Sequence, residues 1–448
     1  EKEKEEEKEE RKKSCCSFLL LFKTNKMRVY APILFAVAAT IAYLALRNPS
    51  HPVPPQYPEC PPITPPSLDR PQLSSSPLHC FFSPTGYVEA RQKFRKAVEA
   101  AGGILSSHSL EAEDDEDLTI DFGLFLPPSS SSPSSSEKLI IHMSGTHGVE
   151  GPAGSAIQLA ALEFIQNNPL QLKNTAVLFV HALNAYGYKN HRRVNEKNVD
   201  LNRNFLTKKG WEEALGRHPD EHGYQSMSQF LNQPAPPTSY YLVNEMVGWA
   251  RSVGPLFSVG LRKIKKALVA GNYHDPMGIG FGGTEKGQSI RILEDYLKRN
   301  GFAKPLNGVF LIDVHTGLGP SGVDTLMTAD NVSKFLRDDV PRLVESMGSE
   351  SSPGAAAGYD ATIGTSEMFC HEFFVLNNNK NDNQICVTQE FGTVPSVLVG
   401  RALVEEMAVW RYNQEIKQKK KEGRALKEEE EFGQDLKDIY SPKLLEMF

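Results

Sequence analysis

Residues 139–155 read LIIHMSGTHGVEGPAGS and decide the fold. The first five, Leu139 to Met143, are a short apolar run of the kind that forms a buried strand. The run stops at Ser144-Gly145, and His147 and Glu150 follow three apart in a glycine-rich turn. Pro152 then opens an Ala/Leu/Ile-rich helical pattern over about 153–167, since proline suits a first helical turn. Strand, turn and helix in this order put His147 and Glu150 at the carboxyl end of a strand, where open α/β sheets hold their ligands. An imidazole and a carboxylate on one rigid turn can both reach a single Zn²⁺ at about 2.0–2.2 Å. Alone, H-x-x-E is a weak signal, because a helix-start Glu beside a hydrogen-bonded loop His has the same spacing.

Three later segments add to it. A second apolar run, 176–182, leads into Asn184-Ala185-Tyr186-Gly187 and then RRVNEKNVDLNRNF at 192–205. Residues 309–314 form another apolar run that ends in His315-Thr316-Gly317, and 385–388 leads into Gln389-Glu390-Phe391-Gly392. Four strand ends thus carry, in order, His/Glu, Arg/Asn/Arg, His and Glu. This order resembles the zinc carboxypeptidase superfamily, including its succinylglutamate desuccinylase/aspartoacylase branch, and is most similar to a domain-of-unknown-function subgroup within it. The resemblance spans roughly residues 83–417. It implies an α/β domain with a mixed, largely parallel sheet and helices on both faces.

The chemistry follows from the residue types. His147, Glu150 and His315 make the His₂Glu set of a catalytic zinc, which leaves one position open. A metal so held acidifies water to a pKa of about 7 and polarises a carbonyl. Asp313, two residues from His315 on one strand face, is a candidate to orient that ring, or else a strand-end Asp with a local role. Glu390 is the candidate general base, its pKa raised by partial burial. The resemblance implies that Asn202 and Arg203 hold a substrate carboxylate, for which a guanidinium fork is well shaped. It also implies that Arg193 stabilises a developing oxyanion, with Arg192 as its rival and pairing to Glu196 or Asp200 as the plain alternative. Tyr359, in GYDATIG, is the positional candidate for the family's late substrate-binding Tyr. Release of a C-terminal residue from a peptide uses that Tyr, and deacylation of a small N-acyl amino acid fits the same zinc, base and arginines without it. The expected partner is a peptide or small-molecule substrate with a free carboxylate.

The rest of the chain sets the context. With 49 Lys+Arg against 55 Asp+Glu, the net charge of −6 gives no reason to expect a nucleic-acid partner. The six cysteines contain no C-x-x-C; Cys370–Cys386 and Cys60–Cys80 are candidate pairs in an oxidising compartment. Residues 1–28 are a charged segment with its first Met at Met27, and no function is assigned to them. Residues 29–46 are uncharged and mainly apolar, which suits a membrane-spanning signal anchor. Lys12, Lys13, Lys23, Lys26 and Arg28 before it, against Arg47 after it, place the N-terminus in the cytosol and the catalytic part in a lumen or outside the cell. Translation from Met27 would instead make this stretch a signal peptide, cleavable near Ala42 or Ala45, for a secreted or organellar protein. Residues 47–82 are a Pro-rich linker, 83–417 the catalytic domain and 418–448 a charged tail.

Other features carry less. Residues 333–347 and 394–418 read as helices. LRKIKKAL, 261–268, reads as a helix with a solvated basic face. Residues 271–287, GNYHDPMGIGFGGTEKG, do not match a phosphate loop and read as a substrate-covering loop from which Tyr273 or His274 enters the cleft. No G-x-S-x-G, H-E-x-x-H or Rossmann glycine pattern occurs. Two readings compete with the hydrolase: a membrane-tethered binding protein without turnover, and a membrane scaffold acting through its C-terminal helix.

Overall fold

The computed structural model describes residues 76–112, 117–127, 132–168, 174–234, 246–252, 259–328, 343–346, 361–377 and 383–424. Segments 1–28 and 29–46, nearly all of 47–82, the tail beyond 424, Tyr359 and Cys60 lie outside them. Among the described residues no helix is long and apolar enough to cross a membrane. All elements named below belong to one compact unit, Glu59–Ser239 with Gly248–Phe448.

The chain runs α1 (Tyr87–Ala100), β1 (Ile104–Ser109), β2 (Thr119–Phe125), β3 (Lys138–Met143), α2 (Gly151–Asn167), β4 (Thr175–His181) and α3 (Ala185–Lys189). It continues through α4 (Lys208–Gly216), α5 (Ser228–Leu231), α6 (Leu261–Val269), α7 (Gln288–Arg299), β5 (Gly308–Gly317) and β6 (Asp324–Thr328). The last elements are β7 (Leu343–Ser346), α8 (Ser366–Phe373), β8 (Gln384–Gly392) and α9 (Ser396–Lys421).

The eight strands form one sheet in the order β1-β2-β4-β3-β5-β8-β6-β7. Its centre, β4-β3-β5-β8, is parallel, while β2 and β6 run antiparallel to their neighbours β4 and β8. The sheet is therefore mixed with a parallel core, as expected. From β3 the chain crosses by α2 to β4 on one side, whereas β5 lies on the other side of β3. That reversal makes a crevice at the carboxyl ends of β3 and β5, the place where such sheets bind ligands.

Period-two alternation explains both layers. Phe122 and Leu124 of β2, Leu139 and Ile141 of β3 and Leu311 of β5 pack with Leu293 and Leu297 of α7 and Phe369 of α8. On the opposite face Phe125, Val177 and Phe179 meet Phe94 and Val98 of α1 and Leu159 and Leu162 of α2. Strands buried on both faces read as unbroken apolar runs, which is why β3, β4 and β5 stand out in the sequence.

The sequence reading departs from the structure in several places. The helical pattern at 333–347 is corrected where it is described: Leu343–Ser346 is strand β7, pairing in parallel with β6. Strand β1, ILSSHS, has no apolar alternation because it is an edge strand with half of its residues exposed. The strand β5 runs on through His315 to Gly317, so His315 sits inside its last turn of pairing.

Cys370 of α8 and Cys386 of β8 form a disulfide across a sequence separation of 16. By the loop-entropy account, closing a loop of this size stabilises the fold by about 3 kcal/mol. Replacing both cysteines by serine is expected to lower the unfolding free energy by that order in a denaturant titration; an unchanged midpoint would show the bond to be dispensable.

Candidate metal centre and its cavity

Backbone contacts fix the H-x-x-E turn before any side chain does. Gly148 donates its N–H to the Arg193 carbonyl at 3.2 Å and Val149 donates to that of Arg192 at 2.9 Å. A Cβ on Gly148 would stand 2.0 Å from the carbonyl carbon of Gly187, so the close approach requires glycine. Residues Gly148–Glu150 form a 3₁₀ turn that runs directly into α2. The same contacts bring Arg193 beside Glu150, with Nη1 3.4 Å from Oε1.

Three donors meet at one point. His147 Nδ1 lies 2.9 Å from Glu150 Oε1, and His315 Nδ1 lies 3.0 Å from both His147 Nδ1 and Glu150 Oε2. All three side chains are buried, and they form the one His/Cys/Asp/Glu group among the described residues able to hold a metal ion. The other nitrogens of the two rings are already used. His147 Nε2 is 3.0 Å from Asp200 Oδ1, and His315 Nε2 is 2.9 Å from Asp313 Oδ2. With each Nε2–H given to a carboxylate, both Nδ1 lone pairs face each other and Glu150, an arrangement that needs a positive charge between them. A zinc ion bound by two imidazoles and a carboxylate fits this donor set.

The electrostatics agree. Burial works against the Glu150 carboxylate, but His147 and His315 outweigh it and hold its pKa below the usual range. Burial likewise opposes ionisation of Asp200 and Asp313, and is overcome at Asp200 by Arg193 and His147 and at Asp313 by His315 with the Ser366 and Thr146 hydroxyls. His315 is raised well above its ordinary value, since Asp313 and Glu150 prevail over burial.

Glu390 stands directly opposite His315 in the β5–β8 register. Burial first, and the Glu150 carboxylate second, push its pKa up to about 7. Its Oε1 accepts the Leu318 N–H at 2.8 Å.

The remaining candidates divide. Arg193, Asn202 and Arg203 line the same cavity as the three donors and Glu390, a hollow of about 150 Å³. Arg193 donates Nε to Asp200 Oδ2 at 3.0 Å, the pairing raised as the plain alternative. Arg203 donates Nε to the Val269 carbonyl and Nη1 to that of Asn202. The rival Arg192 points elsewhere: its Nε meets Glu406 at 2.5 Å and its guanidinium lies over Trp410. Tyr359 lies outside the described residues.

The covering-loop reading of 271–287 holds only in part: Ile279 and Gly280 line the cavity, but Tyr273 and His274 do not enter it. Tyr273 is buried with its hydroxyl on the Arg203 carbonyl, and His274 bonds the Arg217 carbonyl at the surface. The run instead supports the arginine turn: Asp200 N–H reaches Phe281 O, and Asn204 Nδ2 reaches Gly282 O. Sequence reading named Asp200 only as an ion-pair partner and passed over Ser366. Asp200 sits two residues before the Asn-Arg pair, a position that could have marked it. Ser366 has no such signal, yet its Oγ donates to Asp313 Oδ2 at 2.6 Å and its N–H to Asn202 Oδ1 at 3.0 Å.

Carboxylates and hydroxyls behind metal-bound histidines are commonly worth 10–100-fold in metal affinity. Asp313→Asn and Ser366→Ala should each weaken zinc binding to that extent in competitive chelator titrations, while far-ultraviolet dichroism stays native. Affinity equal to wild type in both would remove these residues from the metal site.

Among curated proteins none matches the chain. The solved structures that resemble it include the following. Bovine thrombin-activatable fibrinolysis inhibitor, solved in complex with tick carboxypeptidase inhibitor, is 14% identical with TM-score 0.37, over 74% of this chain and 98% of that one. Carboxypeptidase A from Helicoverpa armigera is 10% identical with TM-score 0.39, over 84% and 77%. Murein-tripeptide amidase MpaA from Escherichia coli O157 is 14% identical with TM-score 0.31, over 68% and 91%. At such scores the likeness decides nothing about chemistry, which rests on the side chains described above. Residues 82–445, more than three quarters of the chain, match the family model described as "Protein of unknown function (DUF2817)", and the chain belongs to that family.

Proposed function

We propose that the protein is a zinc-dependent hydrolase that cleaves an amide bond beside a free carboxylate. The observation that carries this reading is the convergence of His147 Nδ1, His315 Nδ1 and Glu150, with Glu390 in register beside His315. His147, Glu150 and His315 would hold the zinc, which when bound polarises the scissile carbonyl and acidifies water next to it. Glu390 takes a proton from the attacking water on its carboxylate and passes it to the leaving nitrogen. Its raised pKa suits both halves of that transfer. Arg193, lining the cavity beside Glu150, offers fixed positive charge to an oxyanion. Arg203 and Asn202 orient the substrate carboxylate from the same cavity wall. Peptidase and deacylase chemistry share these steps, and a role for Tyr359 in choosing between them stays a proposal from sequence. So does membrane attachment through residues 29–46, for which the Cys370–Cys386 disulfide is compatible with a lumenal or extracellular domain.

Metal content and turnover on peptides and N-acyl amino acids test the proposal on the same purified protein. About one zinc per chain is expected, lost in His315→Ala. Glu390→Gln should keep the zinc and lose about 10²–10⁴-fold in kcat/KM, the usual worth of a general base. No zinc in the wild type would overturn the hydrolase and leave a binding protein.

The pH profile gives an independent check. A protonated Glu390 cannot accept a proton, so kcat/KM should fall as pH drops through its pKa. In the loaded enzyme that fall lies at or below about pH 7, because added positive charge favours the carboxylate.

A further inference from the structure

The start of α8 joins two parts of the site that the proposed chemistry uses separately. Thr365, its N-cap, already satisfies one free amide, since its side chain accepts the Met368 N–H. The next residue, Ser366, is fully buried and directs both of its polar groups away from its own helix. Its N–H is a first-turn donor that no helix satisfies internally, and it goes to Asn202 Oδ1 at 3.0 Å. Its Oγ donates to Asp313 Oδ2 at 2.6 Å, and the same oxygen meets His315 Nε2 at 2.9 Å. One chain of hydrogen bonds thus runs from Asn202, through Ser366 and Asp313, to the ring of His315.

Backbone packing makes this connection stiff. Gly364 has φ +70°, and a Cβ there would stand 2.4 Å from the Arg203 carbonyl oxygen, so glycine is needed where the segment before α8 lies against the arginine turn. The Gly364 carbonyl in turn accepts the Phe205 N–H at 3.1 Å. At Asn202 the Ser366 N–H decides which way the amide lies. Only an oxygen accepts a backbone N–H, so Oδ1 is committed to α8 and the Nδ2 donors are left for a carboxylate in the cavity that Asn202 lines. Asp313 has a second support, the Thr146 hydroxyl, which donates to its other oxygen at 2.7 Å. Thr146 belongs to the H-x-x-E turn and not to the chain of bonds from Asn202.

We propose that Ser366 is a positioning residue that couples two binding events: a carboxylate held by Asn202 and a zinc ion held by His315 each bind more tightly when the other is present. The inference rests on the hydrolase reading, which names both ligands. A carboxylate on Nδ2 fixes the Asn202 amide, and with it the Ser366 N–H and the first turn of α8. Ser366 Oγ is then already set on Asp313, and His315 is already set toward the metal. The second ligand therefore meets a site that the first has ordered, and its own ordering cost is smaller. Linkage makes the effect reciprocal. The protein without substrate is then the form that releases its metal most readily.

The test uses the full chain, zinc, and 3-phenylpropanoate, a carboxylate with no amide bond to cleave. Zinc affinity is read by chelator competition, with and without saturating 3-phenylpropanoate, in wild type, Ser366→Ala and Thr146→Val. In the wild type the carboxylate should raise zinc affinity at least about fivefold, the lower end of ordinary coupling, and zinc should raise carboxylate affinity by the same factor. Both variants lose a hydroxyl on Asp313 and should hold zinc more weakly. Thr146→Val should keep the wild-type factor, whereas in Ser366→Ala it should fall below about twofold. A carboxylate that only ligated the zinc would act alike in all three proteins. An equal factor in wild type and Ser366→Ala would overturn the inference and leave the hydrolase intact, and so would its loss in Thr146→Val as well. A second measurement needs no variant: hydrogen exchange of the Ser366 amide, which either ligand alone should slow in the wild type. Exchange that neither ligand changes would overturn the coupling. A factor lost in Ser366→Ala alone, with no turnover on any peptide or N-acyl amino acid, would uphold the coupling and overturn the hydrolase. No zinc in the wild type would overturn both.

Discussion

A single buried point that demands positive charge organises the centre of this protein. His147, His315 and Glu150 bring three donors to within about 3 Å of one another, and Asp200 and Asp313 close off the far side of each ring. Such a set is costly to bury unless something cationic sits inside it. A proton on His315 can fill the role in the empty protein, and a divalent ion fills it better, because it can accept all three donors at once. The supports around the site follow from the same need. Thr146 and Ser366 anchor Asp313, Arg193 anchors Asp200, and the Gly148 turn presses against the backbone of Gly187.

Residues with a chemical reason to be where they are were legible in the sequence. His147, Glu150, His315 and Glu390 each follow or end an apolar run, and strands buried on both faces write such runs plainly. In the sequence only the resemblance favours Arg193 over Arg192, since adjacent arginines present the same chemistry to a reader of the chain. The structure separates them by sending Arg192 to Glu406 and Trp410. Ser366 is a different case. Its role comes from a helix that docks against β5 and β8, and a serine at a helix start is already explained by local capping chemistry.

Elements outside the core were harder to read for related reasons. The edge strand β1 lacks alternation because water covers much of it. The helix α7 carries Ile290, Leu293 and Leu297 at helical spacing, a pattern within reach of the sequence but set in a long segment without chemical landmarks. The glycine-rich run 271–287 borders the cavity through Ile279 and Gly280 but does not send Tyr273 or His274 into it, for a physical reason. Glycines suit a mobile cover and also suit backbone packed closely against backbone, and here they serve the second purpose beneath the arginine turn.

The place of β8 in the sheet bears on synthesis. β5 is paired with β3 on one side and with β8 on the other, yet β8 begins at Gln384, long after β5 ends at Gly317. While a ribosome is still adding the intervening residues, β3, β4 and β5 can assemble and leave one flank of β5 with unpaired amides and apolar neighbours. An open flank of that sort recruits strands from other chains. A product cut short before residue 384 would then be a seed for aggregation, because the flank of β5 that β8 covers would stay open.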